Sequence, residues 1–190
     1  MEYYFLESQY PRSGFISGGT TFIPELDMNY SAIDYRLPND TRAEVELLSS
    51  VRRLKADYFE TVTGTRVVSD AFKKALEQTP NRIQFIPAVV RYANGRSVER
   101  EYWIAHLPDA VDAFDYERSE YGRKAVIAAS VRQPPRKPVK VIFKLRLNPD
   151  NIAGCSFFRL AHVNVLKPIV SGDLYEACRN KRLNLRVTPI

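Results

Sequence analysis

Arg66-Val67-Val68-Ser69-Asp70-Ala71-Phe72-Lys73-Lys74-Ala75-Leu76-Glu77 reads as a buried strand end that turns into a short helix. Val67 and Val68 are β-branched and apolar, as strand residues tend to be. Ser69 is a good N-cap, because its hydroxyl can accept from a free amide of the first helical turn. Asp70 then places negative charge near the positive end of the helix dipole. Phe72, Ala75 and Leu76 fall at i, i+3 and i+4, which is one stripe of a helix. Pro80 stops the helix, and Ile83 and Phe85 begin an alternating strand pattern.

The same grammar returns 102 positions later without a gap. Ile169-Val170-Ser171-Gly172-Asp173-Leu174-Tyr175-Glu176-Ala177-Cys178 repeats the strand end, the cap and the stripe. Leu185, Val187 and Pro189 match Ile83, Phe85 and Pro87. Only Val68/Val170, Ser69/Ser171, Ala75/Ala177 and Pro87/Pro189 are identical, but the apolar positions agree better. The repeat is a clue to architecture and carries no chemistry.

A chain of 190 residues is one large domain or two small ones, long enough to bury a core without staples. Apolar residues at 45% and charged residues at 26% are ordinary for a globular protein. Cys155 and Cys178 give neither metal spacing nor a disulfide framework, and read as buried thiols of a reducing compartment. The N-terminus has no basic region followed by an apolar run, so it is not a secretory signal. No window approaches the roughly 18 apolar residues of a membrane span. These features predict a cytoplasmic protein with no membrane partner.

Net charge is +6, from 28 basic and 22 acidic residues. The densest basic stretch is Arg132-Gln133-Pro134-Pro135-Arg136-Lys137-Pro138-Val139-Lys140. Its three prolines predict a stiff loop, either a solvated connector or a docking surface. Arg132, Arg136, Lys137 and Lys140 are therefore the candidate partner-binding residues.

Taken in order, residues 1 to 7 read as a strand and 10 to 21 as a loop, with a short strand at Phe15-Ile16. Pro24 to Asn39 is irregular. Val45, Leu48, Val51 and Leu54 recur every third residue, which predicts a helix over 42–55; a strand pair interrupted at Ser49-Ser50 is the rival. Asp57 to Val62 is a short aromatic strand or linker, and Thr63-Gly64 a turn. Asn94-Gly95 is the strongest hairpin signal, because type I′ turns want positive φ at both positions. Its arms are Ile86 to Tyr92 and Val98 to Leu107. Strands are expected at Ala125 to Val131, Val139 to Leu147, Cys155 to Leu160 and Leu183 to Val187. In Val139 to Leu147, the residues Val139, Val141, Phe143, Leu145 and Leu147 would share one buried face.

Candidate chemistry is sparse. Neither His106 nor His162 sits in a metal or catalytic pattern. The acidic run Asp109 to Glu120 matches no calcium loop. Gly18-Gly19-Thr20-Thr21 lacks the lysine of a phosphate loop. Catalytic residues, metal ligands and cofactors are all expected to be absent.

The segment Asp57-Tyr58, Val67 to Leu76 and Gln84-Phe85-Ile86-Pro87 resembles the central block of a bacterial family. That family is immunity family eleven of polymorphic toxin systems, formerly a domain of unknown function. The similarity continues at Val111-Asp112-Ala113-Phe114-Asp115-Tyr116-Glu117-Arg118-Ser119. It ends at Phe157-Phe158-Arg159-Leu160 and Ile169 to Leu174. It covers about residues 57 to 190 and only loosely the first 55. The resemblance implies a non-catalytic α+β protein that binds and neutralises a cognate toxin.

The expected fold is α+β, mainly antiparallel sheet with two or three short helices. Two pseudo-equivalent strand–helix–strand units would share one core. Residues 1–56 would pack as a strand, loop and helix segment on a main domain of 57–190. A toxin protein is the expected partner, and a homodimer is left open. A basic nucleic-acid-binding module is the alternative. A third reading, a small enzyme, would need the 109–120 acids to meet His106 in one pocket.

Overall fold

Both serine caps form as their sequences dictate. Ser69 Oγ accepts the Phe72 amide at 3.2 Å, and Ser171 Oγ accepts the Leu174 amide at 3.3 Å. Asp70 also pairs with Lys74 at 2.6 Å, one helical turn on. The computed structural model describes residues 2–9, 16–124, 139–152, 154–165 and 167–190. In chain order the strands are β1 (Tyr3–Glu7), β2 (Ser17–Ile23), β3 (Arg42–Leu47), β4 (Tyr58–Glu60), β5 (Arg66–Ser69), β6 (Gln84–Arg91) and β7 (Tyr102–His106). They continue as β8 (Ala110–Val111), β9 (Glu120–Tyr121), β10 (Ile142–Lys144), β11 (Phe157–Leu160), β12 (Ile169–Ser171) and β13 (Arg186–Pro189). Helix α1 spans Asp70–Glu77 and α2 spans Gly172–Asn180.

The strands form two large sheets, ordered β2-β3-β6-β7-β5-β4 and β13-β1-β12-β11-β8, and a small β9–β10 ribbon. The two expected units lie within the large sheets and match strand for strand. In the first, the order β4-β5-β7-β6 accompanies α1; in the second, β11-β12-β1-β13 accompanies α2. Ser69 faces Tyr102 as Ser171 faces Tyr3, and Val68 faces Trp103 as Val170 faces Tyr4. Pro87 faces Trp103 as Pro189 faces Tyr4. Backbone bonds repeat as well. The Ser69 and Ser171 amides donate to Asp57 O and Ser156 O at 3.0 and 2.9 Å. The Asp70 and Gly172 amides donate to Glu101 O and Glu2 O at 3.0 and 2.8 Å.

The second unit is permuted. The strand equivalent to β7 is β1, from the other end of the chain, and Glu2-Tyr3-Tyr4 stands where Glu101-Tyr102-Trp103 stands. This places β1 between β12 and β13.

Packing follows from alternation along strands whose two faces are both covered. Val68, Tyr58 and Ala105 join Phe72, Ala75 and Leu76 in a central core, together with Leu6, Phe157, Val170, Leu174 and Cys178. Opposite faces of the same strands build the outer cores. Phe59, Val67, Ile86 and Ile104 pack with residues of the 16–56 segment, and Phe158 and Ile169 with residues of the 113–155 region. Doublets such as Val67-Val68, Phe157-Phe158 and Ile169-Val170 are apolar twice running for this reason.

Several expectations are corrected. Residues 42–55 form no helix. Ala43, Val45 and Leu47 are buried while Arg42, Glu44 and Glu46 are exposed, a period of two. Antiparallel β2 and parallel β6 flank that strand. The every-third pattern ran on into turns, where Leu48 is 38% exposed. Gly18 to Thr21, expected within a loop over 10–21, belong to β2. Strand β13 is offset from the expected Leu183 to Val187. The Asn94-Gly95 hairpin forms, with Gly95 at φ +81° and the Tyr92 amide donating to Arg96 O at 2.9 Å. Its second arm bridges Arg91 at Ser97 and becomes continuous strand at Tyr102. Ala125 to Val131 lies outside the described residues.

Val139 to Leu147 is not one half-buried strand. Only Ile142–Lys144 is strand, and Val141 and Phe143 are 52% and 75% exposed. Ile142 faces Tyr121 and Lys144 faces Glu120, which leaves Phe143 as an extra residue. Such a bulge bends the strand and re-aims a side chain.

Candidate partner-binding surface and an arginine cleft

Of the four expected partner-binding residues, Arg132, Arg136 and Lys137 lie outside the described residues. Lys140 is exposed and lies between buried Val139 and exposed Val141. Lys140, Val141, Phe143 and Lys144 thus place apolar surface and positive charge together. Glu120 is near, with Lys144 Nζ 3.7 Å from its carboxylate. The ribbon beneath is held by three rings. Phe114 meets Tyr116 and Tyr121 edge-on, with centroids 4.8 and 5.3 Å away. Tyr121 in turn faces Ile142 across the ribbon. An aromatic ring on a well-anchored support loses little freedom on binding, which suits it to an interface.

The acidic run does not gather around His106. Asp115 Oδ1 accepts the Glu117 and Arg118 amides at 3.0 and 2.9 Å, a local turn bond. Among the described residues no group of three or more His, Cys, Asp or Glu could hold a metal ion. Cys178 is fully buried, and burial pushes its thiol up to about 11. That disfavours the thiolate a nucleophile needs. Among the described residues no helix is long and apolar enough to cross a membrane.

His106 is 2% exposed and has partners on both ring nitrogens. Nε2 lies 2.8 Å from Tyr35 O, which can only accept, so Nε2 carries the proton. Nδ1 then accepts from the Tyr30 hydroxyl at 3.1 Å. Burial pulls its pKa below the usual 6.5. Nearby Arg159, Arg66 and Arg36 act in the same direction, and the Tyr35 bond opposes them. Unfolding therefore takes up a proton, so this contribution to stability is complete above pH 6.5 and declines as pH falls through that value. The urea midpoint is expected to drop between about pH 7.5 and 5.5, and by less in His106→Asn.

His106 and Tyr30 also line a cleft of about 480 Å³ with Glu60, Arg66, Arg159 and Val163. Arg66 comes from β5 and Arg159 from β11, so the two large sheets each supply a guanidinium. Arg159 is anchored: Nε donates to Leu107 O at 3.0 Å and an Nη to Pro108 O at 2.9 Å. Its pKa is lowered by burial first and by Arg66 second, with Asp34 opposing. Arg66 lies 3.9 Å from Glu60, which also accepts the Tyr58 hydroxyl at 2.7 Å. Val139 pairs with Val163, which lines this cleft, and Lys140 is the next residue.

Sequence reasoning singled out neither arginine as a site residue. The available signal was a lone cation beside apolar strand residues, in Arg66-Val67-Val68 and Phe158-Arg159-Leu160. The model of an immunity protein family (Imm11) matches residues 11–186 of the chain. No curated protein matches it.

Proposed function

The chain belongs to the immunity protein family (Imm11), and from that membership we propose that it binds and neutralises a cognate bacterial toxin without chemistry of its own. The match over residues 11–186 carries this reading. The geometry supports it at the β9–β10 ribbon. An anchored strand offers a 75% exposed Phe143 among lysines, a surface suited to burial against an acidic protein face. The imidazole of His106 is occupied by structural bonds, and the run of acids sits elsewhere. In this reading neutralisation is occlusion, and it takes place in the cytoplasm.

The test is co-expression with the toxin encoded beside this protein, reading complex formation and cell survival. A stable complex and protection are expected; neither appearing rejects the proposal. Phe143→Ser is expected to weaken the complex at least tenfold, since central exposed aromatics are worth about 2 kcal/mol or more once buried. The free variant should keep its urea midpoint, because surface changes cost about 0.5 kcal/mol or less. Calorimetric titration with the purified toxin domain checks both halves.

A further inference from the structure

We propose that the cleft between Arg66 and Arg159 seats a carboxylate side chain from an acidic segment of the toxin; the inference rests on the toxin-binding reading above. Two guanidiniums from different sheets line one cavity of about 480 Å³, and Glu60 is the one carboxylate among its described lining residues. Glu60 offsets Arg66 in part, and with Arg159 the described lining carries a net positive charge that favours an anion. Arg159 is already oriented by the Leu107 and Pro108 carbonyls, so docking would not have to order it. A guanidinium presents a planar fork that matches a carboxylate with two parallel bonds. The lining is also apolar in part, with Leu160, Val163 and Val165. Such a wall excludes water and strengthens a charge pair formed inside it. Val62, Thr63 and Gly64 on its rim are exposed. A net charge of +6 favours the approach of an acidic partner.

The experiment titrates the purified toxin domain into the wild-type chain, Arg66→Gln, Arg159→Gln and Arg159→Lys at low and high salt. Because Arg159 holds two backbone carbonyls, each free variant is also melted, and Arg66→Gln provides an arm that does not touch those bonds. Expected results are a tenfold or greater rise in Kd for Arg66→Gln, a similar rise for Arg159→Lys, and a shallower salt dependence in both. On the toxin side, one Asp→Asn or Glu→Gln change should lose affinity to wild type but little more to Arg66→Gln. Kd values within twofold of wild type for both Arg66→Gln and Arg159→Lys overturn the cleft assignment and leave the toxin reading standing. Absence of any complex with the wild-type chain overturns both.

Discussion

Asp57→Ala is expected to lower unfolding stability by about 3–5 kcal/mol, because it strands two donors at about 1–3 kcal/mol each and unpairs Arg100. Asp57 is 4% exposed, and both carboxylate oxygens are engaged. Oδ1 accepts from the Ser69 hydroxyl at 2.6 Å and from the Arg100 guanidinium; Oδ2 accepts the Asn184 amide at 2.7 Å. Its own carbonyl accepts the Ser69 amide. One side chain therefore fixes the cap of α1, the loop before β7 and the approach to β13. Alanine leaves the Ser69 hydroxyl and the Asn184 amide without this acceptor, and a stranded buried donor costs about 1–3 kcal/mol. Arg100→Ala should cost less, about 1–2 kcal/mol, because the Arg100 side chain is 41% exposed and the Asp57 carboxylate keeps its Ser69 and Asn184 donors. Urea denaturation of both variants measures the difference. A loss under about 1 kcal/mol for Asp57→Ala would show that the network contributes little.

Phe157→Ala is the second large effect, again about 3–5 kcal/mol, from lost burial plus the cavity left behind. Phe157 is 1% exposed and meets the Phe72 ring edge-on at 6.2 Å. That contact joins α1 of one unit to β11 of the other. Phe72→Ala should cost a similar amount, and the double variant less than the sum, by roughly 0.5–1.5 kcal/mol of ring-on-ring coupling. A double-mutant cycle in urea reads this directly. Strict additivity would mean that the two rings share a core without supporting one another.

The repeat was legible because its signals are local. A serine cap and an i, i+3, i+4 stripe depend on a few neighbouring residues, and α1 and α2 begin where those signals put them. The strand shared by the second unit was not legible in the same way. Glu2-Tyr3-Tyr4 and Glu101-Tyr102-Trp103 agree in sequence, but a fixed offset of 102 pairs residues only further along the chain and never back to its start. Residues 42–47 misled because glutamate and leucine suit helices, whereas pairing on both sides of β3 decided the outcome. Lys140 was visible as charge. Its exposed neighbour Phe143 was not, since regular alternation buries it beside Val139 and Leu145 and only the bulge turns it out. Arg66 and Arg159 are 93 positions apart and share no spacing rule; tertiary structure alone brings them to one cleft.

The permuted strand bears on how the molecule is made. During translation Tyr3-Tyr4-Phe5-Leu6 leaves the ribosome long before its sheet neighbours at 169–171 and 186–189. Until then an aromatic, sticky segment has no mate, while the unit around α1 can already assemble. Such late long-range closure slows folding and invites aggregation of nascent chains. A chaperone bound to residues 3–6 until 169–171 and 186–189 have been made would therefore raise the yield of native protein.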